Sequence, residues 1–296
     1  MLSERTTDQA EGLRRLLLRA SARVVTVAAA HTGFGATSLV VNLATALAQA
    51  GKDVLVLDEN VSHDNVGNML ALKPRYDLLN AVRGDKTWRE IMLHTRQGVR
   101  VMPIARAIQA LPQLSAAERE RLLEYLAEAS RGADVVLVDA AASEGRNISA
   151  SLAPEQPLLL VLNTTASAIT ESYALIKRMT LQDGRQNFEI VVNKARDEQE
   201  AQVIFGNVAQ VARRHLNVRV DYLGYIPVDE KLKRATQLCR PVVEAFPAAS
   251  AARAFGDLGR NLMLLPAAGN DEAGSLSDVM QRLMRQARSP IMAHAN

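Results

Sequence analysis

The sequence predicts an α/β protein built on a doubly wound, mostly parallel sheet. Three observations carry that prediction. Short apolar runs alternate with helical stretches roughly every 25 to 50 residues, with no repeat period. The runs are rich in Val and Leu with no polar alternation, as strands covered on both faces are. The first run passes straight into a glycine-containing turn and then a helix.

Residues 7–20, TDQAEGLRRLLLRA, precede that first run. Asp8 suits a helix N-cap, and Glu11 three residues later completes a capping box. Leu13, Leu16 and Leu17 form an apolar stripe with Arg14, Arg15 and Arg19 around it. Such a helix docks on the domain or binds a partner, and the pattern leaves both open.

Arg23 to Leu47 is the stretch around which the chain is organised. Val24 to Ala30 has the length and β-branched content of a buried strand. The turn His31-Thr32-Gly33-Phe34-Gly35-Ala36-Thr37-Ser38 follows, and Leu39, Val40, Leu43, Ala44 and Leu47 recur at helical spacing. Turn N–H groups and the positive end of a helix dipole converge in such a shape, where an anion sits. Against the phosphate-loop pattern G-x-x-x-x-G-K-[ST], only Gly35 and Thr37 match. Ala30 and Ala36 stand at the first glycine and at the lysine, and Gly33 is an extra glycine. The spacing alone fits an ordinary strand-to-helix turn equally well.

Gly51-Lys52 closes the helix, and Asp53 to Leu57 is the next strand, ending at Asp58-Glu59-Asn60. A carboxylate at the C-terminal tip of a parallel strand lies where such sheets bind ligands. Asp64 to Leu72, Tyr76 to Val82 and Thr87 to His94 read as short helices, with Pro74 between the first two, and Val99 to Pro103 as a short strand. Ser115 caps an amphipathic helix with Leu122, Leu123 and Leu126 inward and Glu118, Arg119, Glu120 and Arg121 outward. Asp134 to Val138 is a strand ending at Asp139. That is the form of the second motif of phosphate-loop proteins, whose carboxylate orders the Mg²⁺ shell. Pro157 to Leu162, Phe188 to Val192 and Arg219 to Leu223 are further strands, the second of them leading to Asn193-Lys194. Ile169 to Leu181 and Glu198 to His215 are helices.

The pattern divides the chain into a helix within residues 1–21, one domain over 22–265, a linker at 266–274 and an amphipathic helix and tail at 275–296. In the last of these, Leu276, Val279, Met280, Leu283, Met284 and Ala287 share one face, with Arg282, Arg285 and Arg288 beside it.

Composition bounds the function. The 296 residues suffice for a large core, and 48% hydrophobic with 23% charged residues is the balance of a soluble globular protein. A net charge of +3 permits anionic partners without demanding nucleic acid. The single cysteine, Cys239, excludes an internal disulfide, suits a reducing cytoplasm and is expected in the core. No apolar run reaches the roughly 18 residues of a membrane span, and the N-terminus has no signal-peptide core. His94, His215 and His294 lack metal-ligand spacing. Five tyrosines and five phenylalanines make no stacking platform, so nucleic-acid binding gains no support.

Taken together, the loop with Asn42-Leu43-Ala44, then LVLDEN, VVLVDAA, VVNKA and GYIPVDE, resemble the MinD/ParA group of deviant phosphate-loop ATPases. The N-terminal DQAEGLRRLL resembles the activating helix of the flagellar-number regulators of this group, the FlhG/FleN type. The resemblance covers nearly the whole chain and implies a MinD-like P-loop NTPase fold. It implies a site of Gly33, Gly35, Thr37, Ser38, Asp58, Asp139 and Asn193 for ATP, with Thr37, Asp58 and Asp139 on the Mg²⁺ side and Asn193 reading the base. It also implies two loop lysines and a water-orienting aspartate, and here those three positions hold Ala36, His31 and Asn60. Nucleotide shape is kept while the charges of phosphoryl transfer are removed. One such cation is worth roughly 10³–10⁵ in rate, so weak ATP and Mg²⁺ binding with little hydrolysis is expected.

The implied function is a regulator of flagellar number and placement with lost or weak ATPase activity. Its partners would be a signal-recognition-type flagellar GTPase, met through Gln9, Leu13 and Leu16, and a flagellar basal-body or regulatory protein. A second copy, and the inner face of the cytoplasmic membrane through residues 275–288, complete the set. The rival function is an active ATP-dependent dimerising switch. A DNA-partition ATPase is a third, and no arginine-rich patch late in the fold supports it.

Overall fold

In the computed structural model, which describes residues 22–140 and 156–266, the chain forms an eight-stranded sheet covered on both faces by helices. The elements are β1 (Arg23–Ala29), α1 (Ala36–Gln49), β2 (Val54–Asp58), α2 (Val66–Met69), α3 (Leu78–Val82) and α4 (Trp88–Ile91). They continue with β3 (Leu93–His94), β4 (Arg100–Pro103), α5 (Ala105–Ala110), α6 (Ala116–Ser130) and β5 (Val135–Asp139). Then come β6 (Leu158–Asn163), α7 (Ala166–Asp183), β7 (Asn187–Ala195), α8 (Glu198–Leu216) and β8 (Arg219–Pro227). Three helices close the described chain: α9 (Glu230–Gln237), α10 (Val242–Ala245) and α11 (Ser250–Leu264).

The strand order is β3-β4-β2-β5-β1-β6-β7-β8. Every pairing is parallel except β3 with β4. Alternate residues of the strands feed opposite faces. Val25, Val27, Val56, Leu137 and Val161 pack under α1 and α11 with Leu43, Phe255 and Leu258. On the other face Val24, Leu55, Leu57, Val136 and Val138 pack with Leu122 and Leu126 of α6. Beside them Leu160, Leu162, Ile190 and Val192 pack with α7 and α8. Both faces of the central strands are therefore dry, which is why their sequences read as unbroken apolar runs.

Long-range hydrogen bonds fix the helices to one another. Asn42 of α1, 2% exposed, accepts from the Val242 N–H at 2.6 Å and donates to the Ser38 carbonyl at 2.8 Å. Asp77 caps two helices at once. Its carboxylate accepts from Leu79 at the start of α3 and from Arg106 and Ala107 at the start of α5. Two side chains also bind carbonyls of β8, the last strand of the sheet: Arg213 that of Val220, and Asn261 that of Leu223 at 2.9 Å.

Several expectations need correction. The helix expected over Thr87 to His94 is only Trp88–Ile91, because Met92 turns extended and Leu93–His94 pairs antiparallel with β4. Asp64 to Leu72 is helical only over Val66–Met69, and Ala71 and Lys73 beyond it have positive φ. Tyr76 to Val82 is helical only from Leu78, after the Asp77 cap. The helix Ala105–Ala110 was not expected. The strand expected to stop at Leu223 runs on to Pro227, and that at Phe188–Val192 spans Asn187–Ala195. Leu123 is half-buried, as is Cys239, which sits at φ 51 in the turn after α9 rather than in the core.

Candidate functional site

The parallel strands deliver their C-terminal ends to one edge of the molecule. β1 is the switch point there, with β5 and β2 to one side and β6 and β7 to the other, the place where such sheets bind ligands. β1 runs through Ala30 to Gly35 into α1, whose N-terminus has no side-chain cap. Gly35 adopts φ 101 and ψ 20, open to glycine and costly to other residues. A Cβ there would lie 2.2 Å from Asn193 Nδ2. That amide donates to the Phe34 carbonyl at 2.8 Å, and Lys194 Nζ lies 3.5 Å from the Gly33 carbonyl. The tip of β7 thus braces the turn. Ser38 lines a cavity of about 10 Å³ beneath it, with Leu39, Val161 and Phe255.

Beyond the turn lies a network around Thr37. Its hydroxyl donates to Asp139 Oδ2 at 2.9 Å and accepts from Asn60 Nδ2 at 3.2 Å. Asp58 Oδ1 accepts from the Asn60 N–H at 3.1 Å, and Oδ2 from the Gly67 N–H at 3.4 Å. Asp58, Glu59 and Asp139 are all buried. Burial pushes the Asp58 carboxyl up to about 6, against the pull of the backbone donors Asn60, Gly67 and Val66. Burial first, then the charge of Asp58, raises Asp139 well above the ordinary carboxylate range, and Glu59 adds to this against the Thr37 hydrogen bond. These shifts describe carboxyls crowded together out of water.

The sequence-predicted residues Gly33, Gly35, Thr37, Ser38, Asp58, Asp139 and Asn193 therefore share one end of the sheet, with His31, Ala36 and Asn60 among them. His31 is exposed, its Nδ1 2.6 Å from the Thr32 carbonyl and its ring 5.8 Å from that of Phe34. Two neighbours were not anticipated: Glu59, whose burial no motif signals, and Lys194, at φ 61 near the end of β7 with its Nζ beside the Gly33 carbonyl. Gln9, Leu13, Leu16 and residues 275–288 lie outside the described residues.

A phosphate fits the turn in shape, since helix N–H groups face outward at α1 without a side-chain cap. A Mg²⁺ ion fits less well. Asp139 Oδ1 is buried without a hydrogen-bond partner among the described residues, as an oxygen open to a cation would be. The Thr37 hydroxyl, however, is engaged from both sides, and the group that meets its oxygen is an N–H donor. Among the described residues no three His, Cys, Asp or Glu side chains are grouped to hold a metal. In this arrangement Asn60 takes one of the two Thr37 lone pairs, so an ion held through Thr37 competes with that amide.

The chain is similar to known proteins over most of its length. Residues 25–242 match the family described as the CobQ/CobB/MinD/ParA nucleotide binding domain. Antiactivator FleN of Pseudomonas aeruginosa is 33% identical over 263 residues, covering 89% of this chain and 94% of that protein. Flagellum site-determining protein YlxH of Helicobacter pylori is 24% identical over 73% of each chain. The solved MinD cell division protein of Aquifex aeolicus superposes with a TM-score of 0.63 at 24% identity, over 82% of this chain and 97% of that one. Eight strands around a phosphate-shaped turn, with these likenesses, place the chain in the CobQ/CobB/MinD/ParA nucleotide-binding family, among its flagellar-number regulators of the FleN and YlxH type.

Proposed function

We propose that this protein regulates flagellar number and placement by binding other molecules, with its own ATPase activity lost or weak. One observation carries this. The turn keeps the shape for a phosphate, yet His31 and Ala36 stand where the family's lysines would be, and Asn60 stands where its water-orienting carboxylate would be. Phosphoryl transfer depends on positioning and on cations at the developing charge. A triphosphate entering this turn meets neither loop lysine, and the acidic side chains Asp58 and Asp139 lie buried beside Thr37. Absence of those fixed cations weakens both binding and turnover.

The names of two relatives, an antiactivator and a flagellum site-determining protein, support the regulatory role. In this reading residues 1–21 engage a signal-recognition-type flagellar GTPase, with Gln9 toward its nucleotide and Leu13 and Leu16 in an apolar groove. Residues 275–288 rest on the inner face of the cytoplasmic membrane. The domain meets a basal-body or regulatory protein, alone or as a homodimer. No helix among the described residues is long and apolar enough to cross a membrane.

The retained Thr37, Asp139 and Asn193 favour a second reading, an ATP-driven dimerising switch. Phosphate release by the full chain separates the two. The expected result is background release, unchanged by Thr37→Ala. Hydrolysis should return only when Ala36→Lys, His31→Lys and Asn60→Asp are combined. Steady release by the unaltered chain that Thr37→Ala abolishes would make it a switch.

A further inference from the structure

We propose that the Asn60 side chain stands in for the metal ion of this site: its amide holds Thr37 while the Asn60 backbone N–H holds Asp58, so the site assembles without Mg²⁺. The inference rests on taking the turn as a nucleotide-type site, and it adds a role for the one substitution that touches the network.

The orientation of the amide is fixed. Asn60 Oδ1 accepts from the Ser62 N–H at 2.9 Å, so Nδ2 must face the other way. There it donates to Thr37 Oγ1 at 3.2 Å and to the Asp64 carbonyl at 3.4 Å. A threonine hydroxyl has one hydrogen and two lone pairs. The hydrogen of Thr37 is committed to Asp139 Oδ2. Asn60 takes a lone pair, on the oxygen that a cation would need. The same residue gives its backbone N–H to Asp58 Oδ1. One side chain and its own backbone therefore tie Asp58 directly, and Asp139 by way of Thr37.

An aspartate at this position would reverse the sign of the contact. Its oxygen would face the Thr37 oxygen, whose hydrogen is already spent on Asp139. It would also bring another carboxylate to a place beside Asp58 and Asp139, both almost wholly buried. Such an arrangement needs a cation, or a further proton, between the oxygens. The amide supplies donor hydrogens of the right polarity at the same place and brings no charge.

Thermal unfolding of the full chain, with EDTA or with millimolar Mg²⁺, tests the proposal. Wild type should melt at the same temperature in both. Asn60→Asp should melt about 3–8 °C lower in EDTA and recover with Mg²⁺ by mass action. Adding Thr37→Val to that variant should remove the recovery, which locates the ion at this site. Asn60→Ala frees the Thr37 lone pair without adding charge and should also gain a Mg²⁺-dependent rise, so the test survives if Asn60→Asp does not fold. A Mg²⁺-dependent rise in wild type that Thr37→Val abolishes would overturn the proposal, as would indifference of both Asn60 variants to Mg²⁺.

Binding of a fluorescent ADP gives a second readout. Wild-type affinity should agree within about twofold with and without Mg²⁺, and tightening of about tenfold or more would overturn the proposal. Absence of ADP binding under both conditions would refute the nucleotide-type reading of the turn, and the melting pattern would still decide the role of Asn60.

Discussion

Gly35 and Asn193 compete for one volume, and neither can grow. Gly35→Ala places a methyl 2.2 Å from Asn193 Nδ2 and holds alanine at φ 101. The expected loss is roughly 2–4 kcal/mol in urea unfolding, part steric and part backbone strain. Asn193→Ala in the same chain should recover the steric part and leave about 1 kcal/mol of strain. A second residue sets a pH dependence away from the turn. Glu189 of β7 lies opposite Asp221 of β8, and burial first, then the Asp221 charge, pushes its carboxyl up to about 7 from the ordinary 4.5, with Arg219 opposing. The folded chain thus holds that proton more tightly than the unfolded one. Its contribution to stability is full below pH 4.5 and is lost as the pH rises through 7. Melting temperature should therefore fall between about pH 5 and 8, less steeply in Glu189→Gln. Some slope remains in that variant, because Asp58 and Asp139 are shifted in the same direction.

At the scale of elements, helix starts are held from near and from far. Ser115 forms a capping box with Glu118 three residues on, and that helix was legible from the sequence alone. The helix Ala105–Ala110 was not, because the carboxylate that takes its first N–H groups belongs to Asp77. Asp77→Ala removes two caps together and should cost about 2 kcal/mol in chemical denaturation, twice the usual single-cap loss. A cost near that of one cap would mean that α5 holds its start unaided. The same distinction explains which strands were readable. β1, β2, β5 and β6 are apolar runs whose burial their own composition declares. β3 is a two-residue strand made only by pairing with Val101 and Arg100, so no local pattern announces it. The candidate site followed the first kind of rule. Gly35, Thr37, Asp58, Asp139 and Asn193 each lie at, or within two residues of, an element's end, and parallel topology gathers such ends. The Asn60 bridge to Thr37 depends on how the segment after β2 turns back through Ser62, which no spacing encodes.

For the whole molecule, the predictions concern what the domain carries at its ends. Deleting residues 275–296 should abolish sedimentation with anionic liposomes, since the apolar face and its arginines lie within that segment. Full-length protein that never sediments would remove the membrane role. A peptide of residues 1–20 should raise GTP hydrolysis by a signal-recognition-type flagellar GTPase, and Gln9→Ala should lose the effect. Equal stimulation by both peptides would leave only a docking helix. The sheet itself bears on how copies can meet. One of its outer strands, β3, has two residues, and the other, β8, has the carbonyls of Val220 and Leu223 taken by Arg213 and Asn261. Among the described residues, one border is thus very short and the other partly occupied, which makes each a poor template for a neighbour's strand. High local concentration of the chain should therefore not drive copies to pair strand on strand into fibrils, and any assembly of copies should use another surface.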